Sequence, residues 1–256
     1  MRFRSRSAGI FGESVLFNAV ESCDLGIRSG EVMSLVGESG CGKTTLGKAA
    51  IGLIKPSSGN VLYEDNDIWQ MDGKDYLEFR RNAQIIHQDP YASLHPSKKV
   101  YAIVSAGIRY HKLIHDETKI RDRVSELLGL VGLMPPEYFK NKYPHQLSGG
   151  QRQRVAIARA VSLNPKFIVA DEIVTMIDVS LRIGILNLLL DLRKRLASSF
   201  LFITHDFGVA RYFAAEGRTA VMYLGNIAEI ATTDMLIKDP LHPYTKALLS
   251  AVPVPD

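Results

Sequence analysis

Eight residues between a strand-like run and a helix-like run constrain this chain more than any other feature in it. Residues 31–36 (EVMSLV) read as a strand, residues 37–44 read GESGCGKT, and a helix is predicted from about residue 44 to 51, ending near Gly52. Gly37, Gly40 and Gly42 let the backbone turn tightly, with its N–H groups facing inward at the start of the helix, where the helix dipole favours negative charge. Such a turn is shaped around anionic oxygens. The plain alternative is a glycine-rich turn that merely joins a strand to a helix, and the full pattern in a strand-loop-helix setting argues against it.

The spacing Gly37-x-x-x-x-Gly42-Lys43-Thr44 is that of a Walker A loop. Glu38, Ser39 and Cys41 complete the cradle, Lys43 reaches the β- and γ-phosphates of ATP as a point charge, and the Thr44 hydroxyl is placed to ligate Mg²⁺. Thr45 supports the loop. Cys41 sits where a helix N-terminus lowers a thiol pKa, but a residue there is more often chosen for size, and no catalytic role is assigned to it. Residues 166–172 (KFIVADE) form an apolar strand ending in two carboxylates, the layout of a Walker B segment. Asp171 is expected to hold the Mg²⁺ hydration shell and Glu172 to orient or deprotonate the attacking water. Two acids capping a strand are common on any surface; following a Walker A loop by a domain's length makes the pair informative.

Short β-like runs at residues 60–63, 83–86, 166–170, 200–204 and 219–223 alternate with helix-like runs, the pattern of an α/β fold with a mainly parallel sheet. Between residues 89 and 165 the β signal disappears, and helix-like segments near 100–110, 118–130 and 151–163 replace it. The expected organisation is one domain over residues 1–256, with a core of 1–88 and 165–256, a helical insertion of about 89–164 and a smaller β region near the N-terminus. At 46% hydrophobic and 23% charged residues, the 256-residue chain has the balance of a soluble globular protein with a full core. No apolar run approaches the roughly 20 residues needed to cross a bilayer, and the basic start lacks the apolar segment of a secretory signal. Only Cys23 and Cys41 are present, too few for a disulfide framework, and both are read as reduced. The net charge of +4 is scattered, so no nucleic acid is expected as a partner. Arg193, Lys194 and Arg195 follow an apolar run and read as a solvated helix C-terminus.

Leu147, Ser148, Gly149, Gly150 and Gln151, continued by Arg152, Gln153 and Arg154, resemble the signature motif of ABC ATPases, which other P-loop families lack. The resemblance implies a P-loop ABC ATPase fold and a second anion-binding helix terminus, which closes on the γ-phosphate held by another subunit's Walker A loop. Three further positions match in order. Gln88 (HQDP) resembles the Q-loop glutamine that touches Mg²⁺ or water, His205 (ITHD) the switch histidine that contacts the γ-phosphate and holds Glu172, and Asp178 (MID) the D-loop aspartate at the subunit interface. An adenine-stacking aromatic is expected near the start: Phe3 is the first choice, with Phe11 and Phe17 left open. Ile173 and Ile177 depart from the family's proline and leucine. The start is abrupt for such a domain, as if part of the first strand were missing.

HQDPYASLHP around Gln88, YPHQLSGGQRQR and above all residues 239–253 (DPLHPYTKALLSAVP) are similar to ATPases of oligopeptide and dipeptide importers. Some relatives continue into a cysteine-rich segment holding an iron–sulfur cluster, which two cysteines do not support. The resemblance implies a peripheral ATPase on the cytoplasmic face of the cell membrane. Its expected partners are transmembrane permease subunits docking on about residues 90–109, a second ATPase subunit, identical or paralogous, and indirectly an extracytoplasmic substrate-binding protein. The alternative is a soluble ABC ATPase acting on nucleic acid or cluster assembly. The long coiled coil of DNA-repair relatives is missing from this sequence, and one cassette stands where translation-type relatives carry two.

Overall fold

Continuous apolar runs bounded by turns predict strands buried on both faces, and the computed structural model shows how they pair. It describes residues 1–6, 14–175 and 177–250, with side chains at all of these but 2–6, 14–17 and 179. The chain forms two units, residues 1–79 with 201–256, and residues 80–200.

The first unit opens with an antiparallel pair, β1 (Arg2–Arg6) and β2 (Ser14–Asn18), with Phe3 opposite Phe17. The strand β3 (Val32–Val36) is buried at every position, as expected for a strand covered on both faces, and feeds the glycine loop and α1 (Lys43–Ala50). Residues 60–63 were expected in the same sheet. Instead, β4 (Leu62–Tyr63) pairs with β5 (Asn66–Asp67) in a two-stranded hairpin. Glu64 and Asp65 both adopt positive φ there, 49° and 66°, the two-residue turn whose twist suits a tight hairpin, so the short apolar run folds back on itself. The helix α2 (Gly73–Asn82) follows.

In the second unit β6 (Ala83–Ile86) leads into five helices: α3 (Pro90–Ser93), α4 (Val100–Tyr110), α5 (Glu117–Leu130), α6 (Pro136–Lys140) and α7 (Gly149–Val161). Helix starts are marked in the sequence: Asp89 caps α3 and Asp116 caps α5, each side chain accepting first-turn N–H groups. The buried face of α7, including Val155, Ile157 and Val161, packs against α3, α4 and α5. Next come β7 (Phe167–Asp171), parallel to β6, and α8 (Val179–Leu196). Arg193, Lys194 and Arg195 occupy the last turn of α8, as the sequence suggested, and Ala197 ends it in the left-handed region (φ 50°).

The chain re-enters the first unit along β8 (Ser199–Thr204), followed by α9 (Phe207–Phe213), β9 (Arg218–Tyr223), β10 (Asn226–Thr232), α10 (Thr233–Lys238) and α11 (Pro243–Ser250). There β3 lies between β9 and β8, pairing in parallel with β9 through Met33–Arg218 to Val36–Val221. On the other side of β9, β10 runs antiparallel with a bulge between Ile227 and Glu229. Val36, Phe207, Val221 and Leu236 form a core against which Tyr244, Leu248 and Leu249 of α11 pack. Each such side chain removed from water contributes about 1.5–3 kcal/mol before chain entropy opposes it.

Candidate active site

In the first unit, the loop from β3 to α1 is glycine-rich for a reason internal to the fold. A Cβ on Gly37 would lie 2.2 Å from the Met222 carbonyl oxygen, and one on Gly42 would lie 2.1 Å from that of Ala19. Gly42 is also the N-cap of α1 at φ 110°, a left-handed conformation that other residues adopt at a cost. The Cys41 carbonyl accepts the Gly225 N–H at 3.0 Å, tying the loop to the turn between β9 and β10. Buried Lys43 folds back over the loop, its Nζ donating to the carbonyls of Gly37 (2.7 Å) and Glu38 (2.8 Å). Glu38, Ser39 and Gly40 are exposed, and Thr44 and Thr45 lie half-buried in the first turn of α1.

Cys41 is buried, and burial pushes its thiol pKa up despite the opposing pull of Lys43, so the helix terminus does not make it a reactive thiolate. Burial, helped by Asp24, raises the Cys23 thiol to about 11. Both cysteines are free thiols. His205 is exposed between β8 and α9, where Asp206 caps α9 by accepting the Val209 N–H at 3.1 Å. Phe11 lies outside the described residues, as do the side chains of Phe3 and Phe17.

In the second unit, Asp171 is buried at the end of β7 and Glu172 follows in the left-handed region, φ 46°. A non-glycine residue held there carries a backbone cost of about 1–3 kcal/mol, a pattern that concentrates at functional sites. Thr175 holds the turn, its hydroxyl donating to the Glu172 carbonyl at 2.7 Å. The Glu172 carboxylate accepts Gln88 Nε2 at 3.0 Å, so two residues 84 positions apart are brought together. Ile173 and Ile177, the departures from the family pattern, are buried.

Helix α7 begins at Ser148, whose hydroxyl accepts the Gln151 N–H at 3.3 Å while Gln151 Oε1 accepts the Ser148 N–H at 3.0 Å, a reciprocal capping box. Gly149 and Gly150 form its first turn, and a Cβ on Gly149 would meet nothing within 4 Å. Asp178 is exposed at the N-cap of α8 and makes no side-chain cap bond, an unusual restraint for an aspartate there. Two arginines join α7 to α3, a role the sequence did not suggest for Arg152 of the signature run or for Arg159. Arg152 lies 3.8 Å over the Tyr91 ring and Arg159 Nη1 donates to the Ser93 carbonyl at 2.5 Å. Their seven-residue spacing on one helix face was the available signal.

Residues 20–175 match the family described as ABC transporter. The chain belongs to that family. Residues 228–256 of this ABC ATPase match a second description, oligopeptide/dipeptide transporter, C-terminal region. The putative oligopeptide transport ATP-binding protein YkfD of Bacillus subtilis (strain 168) is 45% identical over 245 residues, 96% of this chain and 73% of that protein. The oligopeptide transport ATP-binding protein OppF of the same organism is 45% identical over 93% of this chain and 77% of its own length. Among solved structures, the ATP-binding cassette MJ0796, dimeric and bound to ADP and Pi in a post-hydrolysis state, aligns with TM-score 0.77 at 28% identity, covering 91% of this chain and 96% of that one. CbiO1 from Clostridium perfringens aligns with TM-score 0.75 at 29% identity, covering 92% and 88%. The expected α/β ABC ATPase fold and ATPase class are borne out. Among the described residues, no helix is long and apolar enough to cross a membrane.

Proposed function

We propose that this ABC ATPase is the ATP-hydrolysing subunit that powers an importer of oligopeptides or dipeptides. The match of residues 228–256 to a peptide-transporter region, beyond the general cassette, carries the reading and weighs against a soluble enzyme of nucleic acid or cluster assembly. Relatives that share over nine-tenths of the chain carry oligopeptide transport in their names.

The working unit is one domain with a helical insertion at about 89–164, peripheral on the cytoplasmic face of the membrane. A permease subunit docks on about residues 90–109, and an extracytoplasmic binding protein delivers the peptide. ATP lies between the Walker A loop of one subunit, residues 37–45, and the signature motif of a second, Ser148, Gly149, Gly150 and Gln151, with Asp178 at the interface. An aromatic near the start, Phe3 by preference, stacks on adenine. Lys43 neutralises the β- and γ-phosphates, and His205 contacts the γ-phosphate. Thr44, Asp171 and Gln88 are oxygen donors of the class Mg²⁺ takes, and Gln88 fits because its Nε2 is spent on Glu172, leaving the amide oxygen to face a cation. Mg²⁺, when bound, neutralises charge on the transferring phosphoryl group.

Glu172, oriented by the Gln88 amide and by its own turn, takes a proton from the water that attacks the γ-phosphorus, and the bond to the departing ADP oxygen breaks. Glu172→Gln keeps the shape of the side chain and removes the base. It is expected to bind ATP while turnover falls about 10²- to 10⁴-fold. Turnover at the wild-type rate would sink the assignment. Purification from membranes tests the partners: a membrane-spanning subunit should accompany the chain.

A further inference from the structure

The C-terminal motif DPLHPYTK marks the peptide-importer type, yet its residues are engaged with the phosphate loop. Glu229 on β10 accepts the N–H groups of Leu241 (2.9 Å) and His242 (3.0 Å). Burial alone would raise its carboxyl pKa, but the Thr245 side chain first, and then these two N–H groups, hold it below the ordinary range. His242 Nδ1 accepts the Tyr244 N–H at 3.1 Å, which fixes the entry to α11, and Pro243, lacking an N–H, suits the first helical turn. The Tyr244 ring packs on Tyr223 with centroids 4.2 Å apart, and Leu248 and Leu249 anchor the same helix on the core of the unit. So placed, the Tyr244 hydroxyl accepts the Glu38 N–H at 3.2 Å, across 206 residues of chain. The carbonyl of Glu38 is one of the two oxygens that hold Lys43 Nζ.

From this we infer that Tyr244 is a positioning residue for the phosphate loop: the C-terminal segment straps onto Glu38 and holds the loop and Lys43 in their nucleotide-binding conformation. The inference rests on the reading of residues 37–44 as the ATP site. The ring of Tyr244 belongs to the packing of α11, whereas its hydroxyl acts on the loop alone. An ordered loop gives up less conformational freedom when ATP binds, so loss of the hydroxyl weakens affinity without unfolding the unit.

The test compares Tyr244→Phe, which keeps the ring and loses the acceptor, with Leu248→Ala, which keeps the hydroxyl and loosens the helix that seats it. MgATP affinity is measured by calorimetry on the full chain, with melting temperature alongside. Tyr244→Phe is expected to raise Kd about 2- to 10-fold, the span of one neutral hydrogen bond, at a nearly unchanged melting temperature. Its KM should rise while kcat at saturation holds, and the Glu38 amide should exchange with solvent faster. Leu248→Ala should melt lower and weaken ATP binding in the same direction, because α11 seats the hydroxyl. A wild-type Kd for Tyr244→Phe would overturn the inference. Failure of the wild-type chain to bind ATP would instead bring down the assignment of the loop, and this inference with it.

Discussion

Helices α1 and α7 both begin at glycine-bearing turns, and they finish those turns in opposite ways. At α1 the N-cap is Gly42, which has no side chain to bring to the first-turn amides; the polar group supplied there is the buried ammonium of Lys43. At α7 the cap is Ser148, and with Gln151 it satisfies the terminus from within the chain. The glycines differ too. Those at 37 and 42 make room for the protein's own backbone, whereas Gly149, like Gly40 of the loop, has open space where its Cβ would sit. A glycine that makes no room for its own fold suits a close approach from outside, which is what a second subunit's nucleotide would make. On the proposed function the first terminus folds around a phosphate, and the second, self-capped in this structure, trades its bonds when a partner closes on it.

Gly42→Ala should separate the two most sharply. The left-handed backbone alone costs about 1–3 kcal/mol, and the contact with the Ala19 carbonyl adds to it because backbone meets backbone. Melting without nucleotide should show the loss, and ATP titration should show weaker binding. Wild-type stability and affinity would mean that the loop is not held as described. Ser148→Ala ranks next, at about 1 kcal/mol for a lost cap, or about 2–4 °C in melting temperature for a chain of this size. On the proposed two-subunit site, ATP affinity of the isolated chain should not move, because that terminus serves the nucleotide of a second subunit. Gly149→Ala has the smallest effect on stability, a gain below about 0.5 kcal/mol, because Gly149 is the first residue of α7 and not an interior one. Its hydrolysis should nevertheless fall; an undiminished rate would remove the argument that open space at Gly149 is reserved for a nucleotide.

What the sequence disclosed about these regions follows from how local each feature is. The glycine loop, the acids at 171 and 172 and the helix start at Ser148 act within a few positions, so their types and spacing were enough to place them. The hairpin at residues 62–67 was misread as part of the main sheet because neither central residue of its turn, Glu64 or Asp65, is a glycine or asparagine. Glu64 takes a positive φ that its residue type does not announce. Glu172 hides its left-handed backbone in the same way. Long-range contacts were illegible for a different reason: nothing along the chain tells Tyr244 that Glu38 awaits it, or Gln88 that it meets Glu172. Only the packing of β3 with β9 and of β6 with β7 supplies those distances.

The central claim is that Lys43 of one subunit works with Ser148 of another, and a mixing experiment tests it most directly. A Lys43→Ala chain and a Ser148→Arg chain are assayed for ATP hydrolysis alone and together, at concentrations where the wild-type chain turns over. Each alone is predicted to be inactive, because every site then contains one damaged part. Together they form mixed dimers in which one site joins an intact loop to an intact signature, so activity should return to a measurable fraction of the wild-type rate. A mixture no more active than its components would contradict the account.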